Sequence, residues 1–415
     1  MRVWSRRRLL GVAAAGAAAV VVRRVPLLAT PRLGVAEGRA EFDPWLEIDA
    51  EALRRNVAEV SRLVDGRPIF AVVKNNAYGL GLETVGPLLD PLPAVAGLAV
   101  VKTDEAIRLR DAGVRKPVLV MGLVSEAEAL DLVRREVRLA PFAPDAGPWL
   151  SRIATRVGRS VPVHLYLDTG MNRLGMPYYR AVPWIKDLAG RREVTIEGTF
   201  MSFTEDLAFD PEQLQRFRAL AHELRGSGVP LGKLHAASSH GLFFRRDAYL
   251  DMVRPGLALY GAFPSGAAEL GLAGLAPVFR LKARVVDVQP LRTGDSAGYD
   301  RAYTATQPTW IAIVPAGHAD GYPRAAVKGC RVLIRDRLYP VIAAVSASHT
   351  IVELGDEKTV EVGDEATLVG PDRPEITPNG VAQRAGVSVY DILMHLSALL
   401  PKTGGGTGSP RPGGR

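Results

Sequence analysis

The sequence predicts an α/β fold: a (β/α)8 TIM-type barrel followed by a mainly β C-terminal domain. Three observations predict it. Eight short apolar runs alternate with helical stretches between residues 68 and 254, the pattern of parallel strands joined by crossover helices. After Gly261 the texture shifts to β-branched runs broken by Gly, Pro and Asp. No G-x-G-x-x-G follows the first run, which counts against the rival, an open doubly wound sheet with its ligand at a strand-order switch. A length of 415 residues suits two domains, or one large barrel with an addition.

Residues 1–30 predict a twin-arginine-type export signal or a short anchor. Ser5-Arg6-Arg7-Arg8 precedes an apolar run from Leu9 to Val22. As a helix, that run reaches roughly 21 Å, short of the roughly 30 Å of a bilayer core. A membrane-spanning segment is therefore disfavoured, and the expected location is outside the cytoplasm, in a periplasm. Arg23 and Arg24 directly after the run obscure any cleavage site. Residues 31–44 read as a linker, and 45–265 as the barrel domain, with 45–50 as a first strand that pairs with the C-terminal domain.

The eight barrel runs are Pro68–Lys74, Gly97–Val101, Pro117–Met121, Arg138–Pro141, Val161–Leu167, Val194–Phe200, Leu234–Ala237 and Met252–Arg254. Thr103 is the expected cap of one helix, with Gly113 as its stop, and another helix begins near Ser125. Residues 266–400 form the β domain, with runs such as Val285–Val288, Trp310–Val314 and Val341–Val345. Residues 401–415, mostly Gly, Ser, Thr, Pro and Arg, carry the composition of a disordered tail.

Charge and cysteine content exclude several functions. The formal net charge is +8, but nine cations and no acids lie in residues 1–30 and in the tail from Pro401. Without them the body carries −1 and presents no basic footprint for nucleic acid. Cys330 is the only cysteine, so no intrachain disulfide and no CxxC metal site can form. The seven histidines include no i, i+4 pair, so no metal is expected, and His235 reads as a strand-end residue.

Active sites of parallel barrels lie at the C-terminal ends of the strands. Lys74 ends the first strand, in Ala71-Val72-Val73-Lys74-Asn75-Asn76-Ala77-Tyr78-Gly79. Burial there lowers the pKa of an amine, and a neutral amine can form a Schiff base. Taken alone, the same lysine reads rather as a snorkelling surface residue. Lys102 also follows a strand, but it directly precedes a helix start and reads as structural.

Further segments follow in order: Leu167-Asp168-Thr169-Gly170-Met171-Asn172-Arg173-Leu174-Gly175, His235-Ala236-Ala237-Ser238-Ser239, Val253-Arg254-Pro255-Gly256-Leu257, Gly298-Tyr299-Asp300-Arg301 and Ala319-Asp320-Gly321-Tyr322-Pro323-Arg324. With the Lys74 segment, this ordered set resembles the alanine racemase family from residue 45 to about 400. The resemblance implies a pyridoxal 5'-phosphate enzyme, working as a homodimer with shared active sites, that interconverts L- and D-amino acids. Lys74 would hold the cofactor and act as one proton base. Tyr299, from the β domain of the partner subunit, would be the base on the opposite face. Tyr78, Ser239, Gly256 and Leu257 match phosphate-binding positions, and Arg254 matches the arginine facing the pyridine nitrogen. Arg173 and Ala347 match positions that meet the substrate carboxylate.

Several positions depart from the family pattern. Tyr166 stands where many members carry a carbamylated lysine, and Ser202 where a histidine is usual. Asp300 replaces a glycine, and Ser238 an asparagine. His318 and Ala398 replace entry tyrosines, and Ala347-Ser348 replaces Met-Asp. The wider entry implied by these changes points to broader specificity than alanine. A second reading, motivated by Ser202, Tyr166 and Ala347-Ser348, is a cofactor-binding family member without racemase activity that serves as a binding protein. Decarboxylation of a basic amino acid on the same barrel type ranks below both, because Cys330 lies outside any comparable motif.

Overall fold

The structure, a computed structural model, describes residues 42–404. The export segment, nearly all of the linker and residues 405–415 lie outside the described residues.

The barrel strands are short and almost wholly apolar, as strands covered on both faces must be. After β1 (Trp45–Ile48) come β2 (Ile69–Val72), β3 (Val95–Val100), β4 (Val118–Val120), β5 (Val137–Leu139) and β6 (Val161–Asp168). A two-residue β7 (Met176–Pro177) lies beside β6, followed by β8 (Val194–Phe200) and β9 (Lys233–His235). Pairing is parallel in the order β2-β3-β4-β5-β6-β8-β9. The last gap is closed by Met252–Arg254. Val253 bridges Ile69 and Met252 bridges His235, both parallel, and Phe70 N donates to the Val253 carbonyl at 2.8 Å. The eighth position is therefore two bridges rather than a full strand.

Crossover helices pack one face on this ring. In the helix Ala50–Leu63, capped by Asp49 Oδ1 accepting from Ala52 N at 2.8 Å, the buried positions Leu53, Val57 and Val60 recur at helical spacing. Helix Glu126–Arg134 begins after a capping Ser125. One expected cap shifts: Thr103 is the first helical residue of Thr103–Asp111 rather than its cap. The carboxylate of Glu105 reaches back instead, accepting from the N–H groups of Val101 and Lys102.

The second domain is a nine-stranded sheet to which β1 belongs. Its strands are β10 (Phe279–Arg284), β11 (Asp287–Leu291), β14 (Thr309–Val314), β15 (Arg331–Ile334), β16 (Arg337–Val345), β17 (Thr350–Gly355), β18 (Glu365–Val369) and β19 (Lys402–Gly404). The hairpin β12 (Ser296–Ala297) and β13 (Tyr303–Thr304) stands apart from it. β1 runs antiparallel to β10, with Trp45 opposite Lys282, and parallel to β19, with Leu46 opposite Lys402.

That last pairing corrects the expectation for the tail. Lys402–Gly404 are ordered as an edge strand, and Leu46 N donates to the Pro401 carbonyl at 2.9 Å. The composition of 401–415 misleads at its start because edge pairing uses backbone groups, which every residue carries. No helix among the described residues is long and apolar enough to cross a membrane.

Candidate active site

Lys74 leaves the end of β2 half-buried, and the chain behind it turns in an unusual way. Asn75, Asn76, Ala77 and Tyr78 all have φ between 53° and 57°, followed by Gly79 at 87°. A left-handed run of this kind costs roughly 1–2 kcal/mol per ordinary residue, so something must hold it. Asn76 N donates to Glu105 Oε1 at 3.0 Å, Arg108 Nη2 to Asn76 Oδ1 at 2.6 Å, and Ala77 N to the Val73 carbonyl at 2.9 Å. The turn brings Tyr78 back beside Lys74 at the barrel mouth, where both line one cavity. Burial depresses the Lys74 pKa, and the Arg173 guanidinium depresses it further, against the opposing charges of Glu105 and Glu205.

Arg254 is buried at the end of the eighth barrel position, over the ring of Phe200 at 4.8 Å. Its Nη2 donates to the Met201 carbonyl at 2.7 Å, and Nη1 donates to the His235 carbonyl at 2.9 Å and to His235 Nδ1 at 2.8 Å. Burial lowers the Arg254 pKa to about 10, which leaves the group charged at neutral pH. Because His235 Nδ1 accepts, the ring proton sits on Nε2, which donates to His164 Nδ1 at 2.9 Å. Burial and the nearby cations push both imidazoles down, His164 to about 3, so both are neutral. Gly198 makes room for this pair: a Cβ there would lie 2.5 Å from His164 Nδ1.

The cavity, of about 570 Å³, is also lined by Tyr166, Arg173, Ser202, Glu205, Ser239, Gly256 and Tyr390. Ser239 Oγ accepts from the N–H groups of Gly256 and Ala258, each at 3.1 Å. Tyr78 stacks on Tyr260 at 4.5 Å and approaches Gly256 so closely that a Cβ would meet its hydroxyl at 2.1 Å. Asp168 is structural. Its Oδ1 accepts from Gly170, Met171 and Asn172 N–H at 2.9, 2.9 and 3.1 Å, shaping the loop that presents Arg173.

Family models match both halves of the chain: "Alanine racemase, N-terminal domain" over residues 48–264 and "Alanine racemase, C-terminal domain" over 278–403. The chain belongs to the alanine racemase family. Similar proteins include the alanine racemase of Symbiobacterium thermophilum, 36% identical over 367 residues, covering 87% of this chain and 97% of that one. The Methanococcus maripaludis alanine racemase is 31% identical, covering 86% of this chain and 97% of that one. Among solved structures, alanine racemase from Streptomyces lavendulae aligns with a TM-score of 0.80 at 28% identity, over 88% of this chain and 97% of that one. That of Clostridium difficile 630 aligns with a TM-score of 0.78 at 28% identity, over 85% and 93%.

Alanine racemases depend on pyridoxal phosphate, and the residues here fit that group. The amine of Lys74 is partly desolvated and held below its ordinary pKa. Ser239, Tyr78 and the side-chain-free Gly256 form a compact cradle of hydroxyl and N–H groups suited to a phosphate. Arg254 supplies a charged donor on the same wall. Leu257 begins the short turn Leu257–Tyr260 directly behind this cradle and does not line the cavity.

Tyr299 and Ala347 lie elsewhere. Tyr299 sits in a tight turn of the β domain, 76% exposed, outside the cavity of its own chain. Ala347 is exposed beyond β16, its carbonyl accepting from Ala319 N at 3.0 Å. Three residues at or behind the cavity wall escape the sequence reading. His164 carried a signal: it lies two residues before Tyr166 on β6 and so shares its face. Glu205 carried a positional one, on the loop that follows the run Val194–Phe200, whereas Tyr390, from a short helix capped by Ser388, carried none, since only packing brings it here.

Proposed function

We propose that this protein interconverts L- and D-amino acids by two-base proton transfer, with Lys74 as one base and Tyr299 of a second copy as the other. The observation that carries this reading is Lys74 itself, an amine with a lowered pKa in a cavity whose cradle suits a phosphate. Pyridoxal phosphate, when bound, withdraws electrons from the substrate α-carbon and so acidifies its proton.

Lys74 would hold the cofactor, and its Nζ, neutral more readily than an ordinary lysine, takes up or returns a proton. Arg173, exposed at the cavity wall, orients the substrate by its carboxylate. Arg254 remains a donor and gives up no proton at neutral pH, because its pKa stays near 10 and the His235–His164 pair behind it is neutral. The opposite face needs its own base, and Tyr299 is exposed on the β domain rather than turned into its own cavity. Its exposure, with that of Ala347 in the same domain, supports pairing with a second copy, whose cavity they would complete. The replaced entry positions, His318 and Ala398, support a specificity wider than alanine.

Incubation of the purified holoenzyme with single L-amino acids in D₂O tests the reading. Exchange of the α-proton with formation of the D-isomer is expected, and Tyr299→Phe removes it. If no amino acid in a full panel exchanges, the proposal fails. For location we infer export, on the strength of Arg6, Arg7 and the apolar run behind them. Replacement of both arginines by lysine is expected to retain the full-length protein in the cytoplasmic fraction. Unchanged fractionation overturns that inference.

A further inference from the structure

The cavity wall carries three cations, Lys74, Arg173 and Arg254, and among the described lining residues one carboxylate, Glu205. Arg254 is committed to Met201 and His235, and Lys74 and Arg173 are accounted for by the proposed reaction. Glu205 is not. Among the described residues it has no ion-pair or hydrogen-bond partner. The other acid near Lys74, Glu105, is engaged by the backbone N–H groups of Asn76, Val101 and Lys102.

The backbone at Glu205 is also held in place. The φ of 66° there is uncommon for a residue with a side chain, and such a conformation persists where the surroundings over-determine it. On one side, Thr204 N donates to Gln213 Oε1 at 2.8 Å, and Gln213 Nε2 is tied to Thr169 Oγ1 and the Ser202 carbonyl, both at 3.3 Å. On the other, Asp206 Oδ1 accepts from Ala208 N at 2.9 Å and Phe209 N at 3.2 Å. The charge so placed acts on Lys74, Tyr78 and Tyr390 across the cavity. Val101, Met121, Leu174 and Phe203 line the same space with apolar surface, suited to a methylene chain.

We infer that Glu205 is a specificity-determining residue that selects amino acids with a cationic side chain, of the lysine and arginine class, by pairing with that cation. This rests on the racemase reading above. An exposed carboxylate carried on a fixed backbone, with no partner among the described residues, gains a charge-assisted hydrogen bond from such a substrate and nothing from a neutral one. Its rim position keeps it hydrated, so the gain is a preference rather than an absolute requirement.

The test compares L-lysine with its neutral counterpart L-norleucine on the holoenzyme and on Glu205→Gln. It adds calorimetric titration of both ligands into borohydride-reduced enzyme, which binds without turnover. The expected result is a kcat/KM ratio of lysine over norleucine of roughly 10 to 100, expressed mainly in KM, which collapses towards unity in Glu205→Gln. A ratio near unity in the unaltered enzyme overturns the inference and leaves the racemase reading standing. So does a ratio that survives Glu205→Gln, because a folding defect or an interface role for Glu205 lowers both substrates alike. If no amino acid is turned over, the racemase reading has failed and the titration decides alone. A lysine preference dependent on Glu205 sustains the inference, and equal binding of the two ligands overturns it.

Discussion

The hydroxyl groups of Tyr166 and Ser202 meet at 3.2 Å, with the Tyr166 ring stacked on Phe200 at 4.3 Å. Both residues depart from the family pattern, and in space the two departures form a single contact. Their fates are therefore coupled. Tyr166→Phe, which keeps the stack and removes the hydroxyl, is expected to cost about 0.5–1.5 kcal/mol in denaturant unfolding, and Ser202→Ala a similar amount. The double variant should cost little more than either alone, as a double-mutant cycle reads it. Additive losses would show that the two hydroxyls act separately.

Lys74 loading depends on its charged neighbours. Arg173 helps to depress the amine, so Arg173→Gln raises its pKa. The pH at which the apoprotein takes up pyridoxal phosphate is then expected to move upward, followed by absorbance on mixing. Lys74→Ala should lose the borohydride-reducible adduct altogether, and peptide mapping of the unaltered protein should place it on Lys74. A reduced adduct on another residue refutes the assignment.

Gly256→Ala drives a methyl group to 2.1 Å from the Tyr78 hydroxyl. Tyr78 is buried and stacked on Tyr260, with little freedom to retreat. Overpacking of this kind costs about 1–3 kcal/mol. Weaker cofactor retention should accompany it, measurable by dialysis against pyridoxal-free buffer. Retention equal to that of the unaltered protein would place the phosphate elsewhere.

The buried imidazoles make stability sensitive to acid. His164 falls from an ordinary 6.5 to about 3 in the folded protein, and His235 moves in the same direction. Above pH 6.5 both states are neutral and nothing is at stake. As pH falls below 6.5, the unfolded chain takes up protons that the folded one refuses, so stability declines towards pH 3. For His164 the slope approaches about 1.4 kcal/mol per pH unit, the linkage of one proton, and His235 acts in the same direction. His164→Gln retains an acceptor for His235 Nε2 and removes one titration. Its unfolding free energy should therefore fall less steeply over that range, and an identical slope would assign the linkage to other groups.

Much of the fold was legible because its signals are local. The apolar runs ending at Val72, Val100 and Val120 announce buried parallel strands, and Lys74 stands out because a charge directly follows one of them. Edge and closure were harder. Met252–Arg254 holds the eighth place its sequence announced, but closes the ring through isolated bridges that no side-chain pattern distinguishes from a full strand. Lys402–Gly404 pairs with β1 by backbone alone, which its composition does not reveal. The left-handed turn at Asn75–Tyr78 was visible only as a polar loop, because its conformation depends on Glu105 and Arg108 some thirty positions away.

By itself the sequence determined the order of strands and helices, the position of the reactive amine and the run of motifs that carries the family. Hydrophobic periodicity and turn chemistry operate over a few residues and are written along the chain. Only the tertiary structure decided that Arg254 is backed by His235 and His164, that Tyr390 faces the cavity and Tyr299 does not, and that Glu205 stands at its wall without a partner among the described residues. Each of these is a distance between residues far apart in the chain, set by how the barrel closes and how the β domain packs, and no local pattern encodes it.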